Sequence, residues 1–209
     1  MKSILVSIVC MLAGFGVSAQ SQAETFIKEA QQFLAEKNYQ QAQLSLQDAI
    51  NDINNIIAVQ IGEALPTEIN GLKSDGDAEV NAGAMGMMGG GMSIVKNYSN
   101  PTKKENEAEV QILANSPMLA SINMFMSNPA MLGDGYKSVR VGTRRAILKS
   151  EMDDYYDDDA SKKIRSTELQ IPLSQTLITI NLKGFATEQE ELAFAAKLDI
   201  DKLSALLGN

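Results

Sequence analysis

Residues 164–183 read IRSTELQIPLSQTLITINLK. Leu169, Ile171 and Leu173 alternate with Glu168, Gln170 and Pro172. After Ser174-Gln175, Ile178, Ile180 and Leu182 alternate with Thr179, Asn181 and Lys183. A period of two sends successive side chains to opposite faces of a strand, so this stretch predicts a β-hairpin with one face in a core and the other in water. A loop closed around Ser174-Gln175 pairs Ile171 with Ile178 and Leu169 with Ile180, and both apolar rows then share a face. A slip of one residue would turn one row outward. Ser-Gln lacks the glycine of a primed two-residue turn, so a four-residue loop with the same register fits as well. Pro172 has no N–H to give a ladder, which places an edge or a break in pairing on its outward side.

The N-terminus has the pattern of a secretory signal peptide. Lys2 is followed by an apolar run from Ile4 to Val17 and by small residues ending at Ala19. The run is too short to span a bilayer, and cleavage is expected after Ala19. Ser7-Ile8-Val9 before Cys10 are too bulky for a lipidation signal. This predicts an exported protein, with the periplasm as its compartment. Cleavage removes Cys10, the single cysteine, and the sequence has no histidine and no tryptophan. The mature chain is then left without a disulfide, a thiol nucleophile, an imidazole base or a Cys/His metal site. The net charge of −8 argues against nucleic acid and anionic membranes as partners.

Residues 20–65 predict a helical hairpin. Phe26, Ala30 and Phe33 mark the first helix at helical spacing. Tyr39, Ala42, Leu46, Ala49, Ile50, Ile53, Ile57 and Ile61 form one stripe of a second helix that ends at Pro66. Asn38-Tyr39-x-x-Ala42 and Leu46-x-x-Ala49-Ile50 resemble the turn and second helix of a tetratricopeptide repeat. That resemblance implies a peptide-binding helical pair, although such arrays need about three repeats and no second copy is present.

Residues 66–209 predict an α+β sheet domain. Pro66 to Asn81 is polar and reads as a linker or an irregular crossing, its start pinned to the core by Leu65-Pro66 and Ile69-Asn70-Gly71-Leu72. Strands are expected at 92–98, 108–114, 136–141 and 144–149, and the run from Glu151 to Asp159 as loop. Ser116 and Pro117 fit the start of a short helix. Thr187 with Glu190 is a capping box opening a last helix, with Leu192, Ala195, Ala196 and Leu198 inward. Short polar connections favour antiparallel pairing. The fold class is therefore α+β: an N-terminal helical hairpin, then an antiparallel sheet with helices packed on one face. This order of elements is similar to small exported domains of the PsbP type. The leader, helical pair, Leu-Pro start, Gly/Met loop and closing Ile200-Asp201-Lys202-Leu203 region also resemble uncharacterised exported proteins of Gram-negative bacteria, a likeness that brings no function with it.

Three stretches offer chemistry. Met85, Met87, Met88 and Met92 stand in a glycine-rich run, which lacks the Lys-Ser/Thr of a phosphate-binding loop. Met118, Leu119, Ile122, Met124, Phe125 and Met126 cover most of the circumference of the short helix. Such a helix is buried or touches a lipid or a partner. These ten residues are the expected apolar contact surface. Clustered thioethers also suit Cu(I), and an apolar groove beneath the helix would suit a lipid-like ligand. Asp153, Asp154, Asp157, Asp158 and Asp159 are candidate Ca²⁺ ligands, without the glycine and distal glutamate of an EF-hand loop. No spacing selects a catalytic carboxylate pair, and no cofactor is implied. The expected function is a non-enzymatic exported interaction protein whose partner is another envelope protein. A carrier of a small hydrophobic ligand is the alternative, and Cu(I) binding a further one.

Overall fold

The computed structural model describes residues 21–82, 91–115, 133–157 and 160–208, together with Leu119, Ser121 and Met126. Helices α1 (Gln22–Ala35) and α2 (Tyr39–Ala64) open the fold. Nine strands follow: β1 (Glu68–Ile69), β2 (Leu72–Ser74), β3 (Glu79–Ala82), β4 (Met92–Ser99), β5 (Glu107–Ala114), β6 (Tyr136–Val141), β7 (Arg144–Asp157), β8 (Ala160–Pro172) and β9 (Thr176–Lys183). Helices α3 (Glu188–Ala196) and α4 (Ile200–Leu206) close it. The strands form one antiparallel sheet in the order β1-β2-β4-β5-β9-β8-β7-β6, with β3 also paired to β4. The α+β class is as expected.

The β8–β9 hairpin has the expected register, Leu169 opposite Ile180 and Ile171 opposite Ile178. Leu173 N donates to Thr176 O at 2.8 Å and closes the turn. Pairing with β7 stops at Gln170, two residues before Pro172, where a missing N–H costs nothing. The inner face of the sheet carries Ile94, Tyr98, Val110, Ile112, Leu148, Leu169, Ile178, Ile180 and Leu182, all fully buried. Ala58 and Ile61 of α2 with Leu65 just after it, Phe194 and Ala195 of α3, and Ile200 and Leu203 of α4 cover it. Each such Leu or Ile withdraws apolar surface worth about 1.5–3 kcal/mol from water. Phe194 packs edge-on against Tyr98 and Phe185, with ring centroids 5.6 and 5.9 Å apart. Thr187 caps α3 by accepting from Glu190 N, and the Glu190 carboxylate accepts from Ala186 N at 3.1 Å. Ala196, expected inward, is exposed, and Phe194 takes the buried position.

Two stretches differ from expectation. Glu151 to Asp157 is not loop: β7 continues through it. Pairing of β6 with β7 ends at Lys149, and that of β9 with β8 begins at Ser166, so the chain between them is a two-stranded ribbon with no third strand. Glu151, Met152, Asp154, Lys162 and Lys163 of this ribbon are exposed, although Ile164 is buried, so charged side chains are tolerated where a half-buried strand would alternate. Asp154 pairs with Lys163 at 2.8 Å, and Lys162 ties the ribbon to Glu105 at 2.6 Å. Pro66 to Asn81 is neither a linker nor an irregular crossing. It holds β1, β2 and the start of β3, with Asn70 (φ 50°) and Gly71 (φ 86°) turning the chain between Ile69 and Leu72. Among the described residues no helix is long and apolar enough to cross a membrane.

Candidate functional site

The helical hairpin is held by small side chains. Ala23 and Ala30 of α1 and Ala42, Ser45 and Ala49 of α2 are buried. Ala23 N donates to Asp52 Oδ2 at 2.8 Å, which fixes the antiparallel offset. Asn38 caps α2 by accepting from Gln41 N. Four residues after each buried alanine stands an exposed apolar residue: Ile27, Leu34, Leu46 and Ile53. Four residues turn a helix about 40° past a full revolution. In an antiparallel pair this offset turns both helices toward the same flank. Ile50, four after Leu46, widens that row. Eleven large apolar side chains are exposed among the described residues, and nine of them belong to α1 and α2; they range from 38% to 67% exposed. In the C-terminal half of α2 the sheet covers Ala58 and Ile61, and Leu65 just beyond it, while Ile56 and Val59 stay exposed.

A second feature lies on the outer face of the sheet, a polar groove of about 480 Å³. Register builds it. Asn97, Glu109, Asn181, Glu168 and Lys149 stand in one row across five strands, and Ser99, Glu107, Lys183, Ser166 and Glu151 in the next. Glu109 accepts from Asn181 Nδ2 at 3.0 Å, Gln170 donates to Glu168, and Lys149 lies 3.4 Å from Glu151. Ser99 Oγ bonds Asp75 Oδ1 at 2.5 Å. At the mouth of the neighbouring hollow, the Lys162 hydrogen bond holds the Glu105 carboxyl below its ordinary range, assisted by a backbone bond. Each row is a set of cross-strand neighbours of the kind that stabilises a solvated sheet face. Alternation marks these positions as outward, but only the pairing of β5 with β9, across the 61 residues between Ala114 and Thr176, brings them into rows.

Three of the ten expected contact residues can be placed fully. Met92 lies in the main core, and Leu119 and Met126 pack over Ile147 and Leu177 at one end of the outer face. All three are buried and serve packing within this chain. Met85, Met87, Met88, Met118, Ile122, Met124 and Phe125 lie outside the described residues, as do Asp158 and Asp159. Asp153 and Asp154 occupy successive positions of β7 and so point to opposite faces of the ribbon; Asp157 ends the same strand. Among the described residues no three carboxylates converge as metal ligands.

No family model matches the sequence. No curated protein matches it either. A solved structure of a protein from Bacteroides thetaiotaomicron VPI-5482 is similar over 49% of this chain, with a TM-score of 0.39 and 10% identity, and this chain spans 37% of that protein.

Proposed function

We propose that this chain is an exported, non-enzymatic interaction protein that docks on another polypeptide through the apolar flank of its helical hairpin. The observation that carries the reading is the concentration of exposed large apolar side chains on α1 and α2. Exposed contiguous apolar surface marks a site of association. The basic, then apolar, then small-residue pattern of residues 2–19 supports export to the cell envelope. The absence of histidine from the sequence, and Cys10 being its sole thiol, support a role in binding over nucleophilic chemistry. The burial of Met92, Leu119 and Met126, beside the exposed side chains of α1 and α2, supports giving the contact role to the hairpin.

The test is native mass spectrometry of the chain purified gently from its own host, beside a variant carrying Leu46→Asp and Ile50→Asp. A second polypeptide bound to the wild type and lost from the variant is the expected result. A wild-type chain that emerges alone, and is indistinguishable from the variant, would overturn the reading.

A further inference from the structure

We infer that the occupant of the hairpin flank is a second copy of this chain, packed through α2 about a two-fold axis beside Leu46. This rests on the reading of that flank as a contact surface. A two-fold interface sets a patch against itself, so any charge near its centre meets its own like. The chain carries a net charge of −8, yet this flank is uncharged. Between Tyr39 and Gly62, α2 has two charged side chains, Asp48 and Asp52. Asp52 is turned toward the start of α1 by its bond to Ala23 N. Asp48 is two residues from Leu46, about 200° around the helix and off the flank. The neighbours one turn before Leu34, Leu46 and Ile50 are Gln31, Gln43 and Gln47, all exposed. An amide both donates and accepts, so it can pair with its own copy. The nearest charges on α1, Glu24 and Lys28, are opposite in sign and four residues apart.

Spacing supplies the second argument. Leu46, Ile50, Ile53 and Ile57 advance by four, three and four residues, the seam that packs helix against helix. Ile57 already leans on the sheet core, so the free run is Tyr39 to Ile53. Leu46 is its midpoint. Antiparallel contact of two α2 helices there sets Tyr39 of one copy opposite Ile53 of the other. The run is about 21 Å long at 1.5 Å per residue. With α1 about 9 Å to one side, the footprint is roughly 400 Å². That is about half of what a standard interface buries on each partner, so the pair comes apart on dilution.

Sedimentation velocity of the purified chain, from about 1 to 300 µM, tests this across the range expected for so small an interface. The wild type should shift from one copy to two as concentration rises. Leu46→Glu and Leu46→Lys should each remain single, and an equal mixture of the two should pair again. A wild type that stays single throughout overturns the inference. The broader reading then stands if another polypeptide is found on the hairpin by mass spectrometry, and falls with it if none is. Pairing that persists unchanged in both Leu46 variants overturns it too, since the copies would be meeting elsewhere. Should either variant unfold, Ile27→Glu on the other helix takes its place: loss of pairing supports the inference and retention overturns it.

Discussion

Lys96 Nζ lies 3.0 Å from the carbonyl oxygen of Leu65 and 3.5 Å from that of Gly62. A helix leaves its last four carbonyls without partners, and its C-terminus attracts positive charge. Here a lysine from the inner face of β4, only 5% exposed, closes the end of α2. That bond anchors the hairpin to the sheet. Lys96→Met keeps the stem's volume and removes the donors. It should cost about 1–3 kcal/mol, the penalty for leaving buried acceptors unpaired. Urea unfolding of the variant checks this, and a midpoint equal to the wild type's would refute it.

Tyr98, two residues along the same face, donates its hydroxyl to Pro66 O at 2.9 Å. Burial pushes its phenol up to about 12 from an ordinary 10.0. In that window the unfolded chain has released a proton that the folded chain retains. Tyr98 therefore contributes stability in full below pH 10, and loses it as pH rises toward 12. Burial moves Lys96 the other way, below 10.5, partly countered by the charge of Asp77. There the unfolded chain holds the extra proton, so this group's contribution rises with pH up to 10.5. The tyrosinate absorbance of the folded protein should show a component near pH 12 that is missing from Tyr98→Phe. That variant should also lose less stability between pH 10 and 12.

Much of this architecture is legible in the amino-acid order, and the gaps have physical causes. The β8–β9 register follows from two apolar rows that share a face only one way. The β7–β8 ribbon was hidden because Asp153, Asp154, Lys162 and Lys163 need no apolar face where no third strand or helix covers them. The β1–β2 hairpin did leave a signal in Asn70-Gly71, a pair suited to two positive φ angles, but its strands are too short for alternation to register. The helical stripe of α2 was visible as a whole. Which of its residues lie under the sheet, as Ala58 and Ile61 do, and which stay exposed, as Leu46 and Ile53 do, was not, because that depends on where β3 and β4 cross the helix. The groove rows were equally hidden, since they require strands distant in sequence to become neighbours.

Glu191 is fully buried, and its Oε1 accepts from Arg165 Nε at 2.8 Å and from Thr167 Oγ1 at 2.7 Å. Arg165 also donates to Ser150 Oγ at 2.7 Å, so α3 is tied to both strands of the β7–β8 pair. The Glu191 bond raises the Arg165 guanidinium above its ordinary value, assisted by the charges of Glu191 and Glu188. Removing one member strands the other. Arg165→Met should therefore cost about 3 kcal/mol, because a buried carboxylate is left without its cation. Arg165→Met with Glu191→Met should recover at least half of that loss. A double variant no more stable than the single one would show that the pair itself, and not the orphaned charge, sets the energy.

Gly184 ends β9 with φ at 71°, and a Cβ there would stand 2.1 Å from the carbonyl oxygen of Glu105. The contact presses the exit of β9 against the β4–β5 turn and sets Lys183 opposite Glu107 in the groove. Gly71 offers a control, with φ at 86° and nothing within 4 Å of the same atom. Alanine at either site meets the backbone cost of a positive φ, about 1 kcal/mol. At Gly184 it must also displace a main-chain carbonyl. Gly71→Ala should lower stability by about 1 kcal/mol, and Gly184→Ala by about 3 kcal/mol or more, in the range where named steric faults lie. Equal losses in urea unfolding would mean that the β4–β5 turn yields freely. In that case the close approach at Gly184 would not be what holds Lys183 beside Glu107.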